Sequence, residues 1–242
     1  MADLYSNTDD GYIWANLQSS WANARDHVGQ YQNASLGSSG NFVQVRRSAL
    51  RGGGIGYYVY RSFFYFDTSG ITGTVSSATF KIYGYGSATD GSVIAVKSTA
   101  FGGDGGTALA TSDFNNIVGY SAGASLDGSA TDYSTAITSG WNSSGYNNLA
   151  STADLRTDMQ NDDVVIICAM DYTNDYLNVA LTSNAILNYG AYYTENTGTS
   201  KDPYIEYEVA TGYGNKVLGV TAGNIAKVDG VATANINKVI GV

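Results

Sequence analysis

The chain has 242 residues and a formal net charge of −9, and it contains 30 Gly, 20 Tyr and 1 Pro. A general nucleic-acid binder needs a basic patch, which this acidic sequence does not show. Charged residues make up only 14% of the chain, a composition that disfavours long helices and favours many strands joined by turns. The length suits one large β-sandwich, so we expect an all-β, antiparallel fold with one short helix.

Apolar residues that alternate with polar ones predict most of the strands. In chain order, the predicted strands lie at 43–45, 57–66, 78–82, 164–170, 177–181 and 205–209. The runs 57–66 and 164–170 carry apolar side chains on both faces, so both are expected to be central strands. Cys168, the only cysteine, lies inside the second of these runs. We therefore expect a buried, unreactive thiol.

Turn and helix signals separate these strands. Asp-Gly pairs predict three turns, at 10–11, 90–91 and 127–128. The stretch 102–128 is rich in Gly, Ser and Asp and predicts a long loop. The short helix is predicted after Ser151, which is expected to cap it, with Leu155 and Met159 on one face.

The C-terminal residues 212–242 form a separate region that contains an 11-residue repeat. Lys216, Lys227 and Lys238 open successive copies, in which Val, Gly, Asn and Ile recur in register. Each copy has too few apolar residues to bury a face alone, so we expect it to stack on itself, on sister subunits or on another protein. The apolar positions assigned to assembly are Val217, Val220, Ile225, Val228, Val231, Ile236, Val239 and Val242. A disordered tail is the alternative.

Two segments of the first 211 residues resemble a known family. Residues 61–71 read Arg-Ser-Phe-Phe-Tyr-Phe-Asp-Thr-Ser-Gly-Ile, and residues 75–83 read Val-Ser-Ser-Ala-Thr-Phe-Lys-Ile-Tyr. Together they resemble the core signature of DNRLRE-type domains, which are jelly-roll modules related to carbohydrate-binding modules. The resemblance spans roughly residues 10–209. It implies a jelly-roll sandwich over residues 1–211, with sugar binding and a structural Ca²⁺ as its expected properties.

The repeat is similar to the tails of phage and prophage structural proteins. That similarity implies a homo-oligomer, a trimer in many such proteins, attached to other virion proteins as a head decoration, fibre or tail appendage. No secretory signal opens the sequence, so we expect synthesis in the host cytoplasm and a final location on the virion. Host-surface glycans are an expected partner, whereas nucleic acid and membrane insertion are not. The alternative is a carbohydrate-binding module of a polysaccharide-acting system.

Candidate sugar-binding residues are aromatic, because the apolar face of a pyranose packs on a flat ring. They are Trp14, Trp21, Tyr57, Trp141 and Tyr146, and each could instead pack in the core. Ca²⁺ prefers oxygen ligands, and the candidates for it are Asp9, Asp10 and Asp67. Asp67 could equally form a turn with the residues that follow it. No other cofactor is expected.

We do not expect an enzyme. His27 is the only histidine and lies near no nucleophile motif, so neither a catalytic triad nor a zinc site is favoured. Carboxylate pairs at 9/10, 162/163 and 171/175 could in principle serve a glycoside hydrolase. Adjacent carboxylates on a strand point to opposite sides, however, and we interpret most of these residues as turn residues. A polysaccharide-degrading enzyme is therefore the third hypothesis.

Overall fold

The computed structural model describes residues 1–34, 39–89, 91–194 and 198–210, together with the short segments 227–228 and 231–232. The described residues up to 210 form an all-β, antiparallel, sandwich-like fold, as the sequence predicts. Eleven strands belong to one hydrogen-bonded network. They are β1 (Ala2–Tyr5), β2 (Gly11–Gln18), β3 (Tyr31–Ala34), β4 (Ser39–Ala49), β5 (Ile55–Asp67), β6 (Val75–Thr89), β7 (Ile94–Lys97), β8 (Tyr146–Ala150), β9 (Val164–Met170), β10 (Ala185–Tyr192) and β11 (Tyr204–Val209).

The strands form two layers that the long strand β6 connects. The first half of β6 pairs with β11 on one edge and β8 on the other, and β1 pairs with β11. The second half of β6 pairs with β10, which leads to β4 and β5 in the second layer. β5 also pairs with β2 and β9. The prediction that β5 and β9 are central strands is confirmed, since β9 lies between β5 and β7.

Two hydrophobic cores lie on opposite faces of the second layer. The first core fills the space between the layers and includes Phe64 and Phe80, both fully buried. The second core lies on the other face and includes Phe63 and Cys168, both also fully buried. Side chains that are adjacent in β5 therefore enter different cores, as the pleat of a strand requires. Burial also raises the pKa of the Cys168 thiol, in keeping with the predicted unreactive cysteine.

The second core is covered by irregular chain rather than by a third sheet. Residues 98–145 connect β7 to β8 through short 3₁₀ turns and isolated bridges, so the loop predicted at 102–128 is longer than expected. Its buried side chains include Phe101, Leu109, Phe114 and Leu126. This connection therefore supplies one wall of a core.

The prediction of a strand at 177–181 is wrong. Tyr172–Tyr176 forms a π-helical turn that begins after Asp171, whose side chain accepts a hydrogen bond from the Asn174 amide. Asn178 then adopts a left-handed conformation with φ of 56°, which a strand does not tolerate. The alternation of apolar residues there arises from turn geometry, and Val179 is 50% exposed.

The described chain contains two α-helices, so the prediction of a single helix is wrong. α1 (Trp21–Arg25) is capped by Ser20, whose side chain accepts from the Asn23 amide. α2 (Ala153–Asn161) is the predicted helix, and Leu155 and Met159 are buried as expected. Its cap is Thr152 rather than Ser151, because the Thr152 hydroxyl accepts from the Leu155 amide.

In the C-terminal region the structure describes only an antiparallel pair, β12 (Lys227–Val228) with β13 (Val231–Ala232). The other residues assigned to assembly lie outside the described residues, as does the boundary between residues 211 and 212; they are Val217, Val220, Ile225, Ile236, Val239 and Val242. Across the ranges given above, no helix is long and apolar enough to cross a membrane.

Candidate functional site

One face of the second layer carries four neighbouring aromatic rings, which we call the aromatic face: Tyr12, Trp14, Tyr31 and Tyr60. Tyr31, Trp14 and Tyr60 lie opposite one another on β3, β2 and β5, so their side chains share one face. The Trp14 ring centre lies 5.3 Å from that of Tyr31 and 5.5 Å from that of Tyr60. The Tyr12 ring lies 5.3 Å from Trp14. Trp14 and Tyr60 are only partly buried and Tyr31 is 45% exposed, so these three rings are accessible to a ligand, whereas Tyr12 is buried in the first core.

Polar side chains continue the aromatic face across the neighbouring strands. Gln44 lies opposite Tyr60, and Asn188 lies opposite Gln44. Arg46, two residues along β4, has its guanidinium 4.7 Å from the ring centre of Tyr58. Burial and the nearby Tyr12 raise the pKa of Tyr60 to about 12, so its hydroxyl stays protonated at neutral pH. Rings, the neutral side chains of Gln44 and Asn188 and the Arg46 guanidinium therefore stand side by side.

A pocket of about 260 Å³ opens beside the aromatic face. Its described lining residues are Tyr12, Gly40, Asn41, Tyr85, Gly86, Asn188 and Gly190, a set without a carboxylate. Gly190 is required for its floor, because a Cβ there would lie 2.5 Å from the Tyr85 carbonyl oxygen. The sequence thus allows β6, β10 and β4 to approach closely at this point.

A second aromatic group crosses the outer surface of the first layer, and we call it the tyrosine row. It consists, in order, of Tyr5, Tyr204, Tyr146, Tyr83, Tyr192 and Tyr85. Neighbouring ring centres are 5.1 to 5.6 Å apart. Lys201 places its ammonium 4.3 Å from the Tyr192 ring centre, and Lys81 lies 5.6 Å from that of Tyr204.

The five aromatic residues predicted to bind sugar lie in four different places. Trp14 belongs to the aromatic face, and Tyr146 belongs to the tyrosine row. Trp141 is 9% exposed and stacks between two aromatic side chains of the first core. Trp21 and Tyr57 pack edge to face at 6.3 Å beside the second core, on the opposite face of the layer from Trp14. The structure therefore does not bring these residues together as one site.

The residues predicted to bind Ca²⁺ have protein partners. Asp10 is fully buried and accepts hydrogen bonds from Ser6 and from the hydroxyl and amide of Thr194. Burial raises the pKa of Asp10 to about 7, although these hydrogen bonds lower it. Asp67 is exposed and accepts from the amide and hydroxyl of Ser69, which is the turn named above as the alternative.

Asp9, the third candidate, is partly buried. Nowhere in the described part of the chain do three or more His, Cys, Asp or Glu side chains form a group that could hold a metal ion. Ca²⁺ binding stays a prediction.

The carboxylates at 171 and 175 belong to a buried polar cluster. Asp175 accepts two hydrogen bonds of 2.7 Å from the Arg61 guanidinium. Arg61 also donates to the carbonyl oxygens of Phe114 and Arg25, and to the Asn115 side chain. All five N–H groups of its guanidinium therefore have acceptors. Because Asp175 is paired and fully buried, the 171/175 pair has the geometry of a structural element.

A larger cleft of about 460 Å³ lies at the end of α2 and contains the carboxylates of Asp162 and Asp163 among its lining. The Lys97 ammonium lies 2.9 Å from the Asp158 carboxylate and 3.5 Å from that of Asp162. Tyr133 donates to the same Asp158 oxygen at 2.6 Å. The cleft differs in chemistry from the aromatic face, because charged side chains line it and the aromatic face consists of stacked rings.

Most residues of the aromatic face have no signal in the sequence. Tyr12, Tyr31 and Tyr60 come from three strands, and only the register of those strands places them beside Trp14. Arg61 did give a usable signal, because a charged residue inside the apolar run 57–66 needs a buried partner.

Comparison with models of protein families finds no match for the chain, and no curated protein sequence matches it significantly.

Proposed function

We propose that this chain is a non-catalytic glycan-binding protein, with the aromatic face and its pocket as the binding site. The single observation that supports this most strongly is the set of accessible rings around Trp14 beside the polar side chains of Gln44 and Asn188. Sugars expose apolar C–H faces and hydroxyl edges, and a site for them combines flat rings with a few placed hydrogen-bonding groups. The pocket adds a concave surface next to the rings.

The test is a glycan array probed with the full chain, in buffers with and without Ca²⁺. We expect retention of at least one glycan, and Trp14→Ala should then weaken its binding on the order of 30-fold, as loss of a central aromatic anchor does. Trp21→Ala is the matched control, because Trp21 lies on the opposite face of the layer. An array without any bound glycan, or equal losses in both variants, would contradict the proposal. Release of reducing ends from a bound glycan would favour the hydrolase hypothesis instead.

Attachment to a virion is the second proposed property, and the 11-residue repeat at residues 216–242 favours it. Within that repeat, β12 and β13 form an antiparallel pair, the kind of unit that can stack on equivalent units of sister chains. In this proposal the sandwich is displayed on a phage particle while the repeat oligomerises or anchors it. Light scattering of the full chain and of a variant without residues 215–242 tests the proposal. We expect a trimer or larger oligomer that becomes a folded monomer on deletion, whereas an unchanged mass would contradict it.

A further inference from the structure

We propose that the tyrosine row extends the glycan site, so that the ligand is an extended, uncharged polysaccharide rather than a single sugar or a chain end. This inference rests on the proposed function. The link is Tyr85, which lines the pocket and is also the last ring of the row. A chain bound in the pocket between Tyr12 and Asn188 would therefore meet Tyr85 and then Tyr192 as its next aromatic contacts.

The row has the width of a single polymer chain. Its six rings follow one another across five strands, and the neighbouring side chains on the same surface are polar, among them Asn148, Glu206 and Lys81. A stable protein partner needs a two-dimensional patch of about 800 Å² on each side. A strip one ring wide is too narrow for such a patch, but it suits a linear chain that lies along it.

The orientation of the rings suits a polysaccharide. Three contacts along the row, Tyr204–Tyr146, Tyr146–Tyr83 and Tyr83–Tyr192, have planes 81°, 80° and 78° apart. Neighbouring rings in these three contacts are therefore nearly perpendicular and pack edge to face. A ring face accepts the C–H side of a pyranose. The hydroxyls of Tyr83 and Tyr146 donate to backbone carbonyl oxygens, so they can still accept a hydrogen bond from a sugar hydroxyl.

The charges near the row favour an uncharged chain. The Lys81 ammonium pairs with the Glu206 carboxylate at 2.9 Å, so their charges compensate. The Lys201 ammonium lies over the Tyr83 and Tyr192 rings. Asp3, opposite Glu206 on the same surface, carries the opposing charge. The whole chain has a net charge of −9, which repels the phosphates of single-stranded nucleic acid, the other linear polymer that stacks on aromatic rings.

The experiment measures how affinity depends on ligand length. The full chain is run in native gels that contain glucomannan, xylan, dextran or hydroxyethylcellulose, and the retained polymer supplies a series of oligosaccharides for calorimetry. We expect affinity to rise from the disaccharide to the longest oligomer. Tyr192→Ala should weaken polymer binding roughly three- to tenfold and leave disaccharide binding unchanged. Tyr192→Phe keeps the ring and loses only the hydroxyl, so its loss of affinity should be smaller than that of Tyr192→Ala.

Two further variants place the ligand on the row. Tyr5→Ala, at the far end of the row, should reduce affinity only for the longest oligomers, and its 39% exposure makes a folding defect small. Tyr57→Ala, beside the second core, is the control and should change no affinity. Equal affinities for disaccharide and polymer, or unchanged polymer binding in Tyr192→Ala, would overturn the extended-chain inference. The proposed glycan site on the aromatic face is tested separately by Trp14→Ala. If no glycan binds the wild type, the proposed function and this inference both fall.

Discussion

The first and second cores lie on opposite faces of β5 and β9, but they are closed in different ways. Regular strands, whose backbone groups are paired in ladders, form most of both walls of the first core, and Leu155 and Met159 of α2 complete it together with Tyr133 and Trp141. One wall of the second core is the irregular stretch 98–145, whose buried backbone has no ladder. There the Arg61 guanidinium donates to the carbonyl oxygens of Phe114 and Arg25. A buried charge thus supplements the backbone hydrogen bonds that the stretch 98–145 makes for itself, and it also ties α1 to this wall through the Arg25 carbonyl oxygen.

The largest effect should come from breaking the ion pair in the second core. Asp175→Ala leaves the fully buried Arg61 without its counter-charge and also removes the carboxylate that lies 3.5 Å from the Nε of the buried Arg25. We expect the free energy of unfolding to fall by about 3–5 kcal/mol. Urea denaturation of the wild type and the variant measures this loss. The double variant Arg61→Met with Asp175→Leu should recover only part of it, because the carbonyl oxygens of Phe114 and Arg25 then lose their donor. Full recovery would show that Arg61 serves only to balance Asp175.

The second effect concerns pH, since the turn that holds Asp175 contains another buried carboxylate. Asp171 forms no ion pair with any described residue, and its acceptors are filled by Asn174 and Ser92. Burial raises its pKa from 3.8 to about 6, although these hydrogen bonds lower it. The folded chain therefore holds this proton more tightly than the unfolded chain does. The resulting stabilisation is fully present below about pH 4 and is lost as the pH rises through 6.

We expect this group to contribute on the order of 1–3 kcal/mol to the difference between pH 4 and pH 7. Asp171→Asn keeps a side-chain oxygen to cap the π-helical turn but cannot titrate. Its unfolding free energy should therefore vary less over that range than the wild-type value, even if the amide costs a constant amount beside Ser92. Asp10, with a pKa of about 7, should leave a residual slope of the same sign in both proteins. Equal slopes in urea titrations at several pH values would contradict the assignment to Asp171.

The smallest effect compares the packing of the two cores on one strand. Ile166 points into the second core and Ile167 into the first, and they are 3% and 0% exposed. Each Ile→Val change should cost about 0.5–1.5 kcal/mol. We expect the larger loss at Ile167, because paired strands on both sides cannot relax into the space of the lost methyl group. A larger loss at Ile166 would show that the loop wall is the more rigid of the two.

Strands were predictable from the sequence where apolar and polar residues alternate strictly. β6 and β11 follow from Phe80, Ile82 and Ile205, because one face of each strand is buried and the other is wet. β2 was not predicted. Tyr12 and Trp14 alternate there with Ile13 and Ala15, and no period of two appears when both faces of a strand carry apolar groups. The burial of apolar residues in 98–145 could not be predicted either, because a segment made of turns has no hydrophobic periodicity.

The candidate site was predictable only in its chemistry. Trp14 and Tyr146 were expected to contact sugar, yet the rings around them come from strands distant in sequence. Which tyrosines become neighbours depends on register and on the pairing order of β1, β11 and β8 around β6. Sequence patterns specify faces of strands, whereas a row of rings across strands is a property of the assembled sheet.

The three tryptophans occupy three regions, and this gives the protein separate optical reporters. Trp141 stacks on Tyr189 at 4.6 Å inside the first core, Trp21 donates from Nε1 to Asn178 beside the second core, and Trp14 stands on the aromatic face. Replacing two of them with Phe would leave one indole emitter in a known environment. Fluorescence of such single-tryptophan proteins would then distinguish melting of either core from ligand contact at the surface.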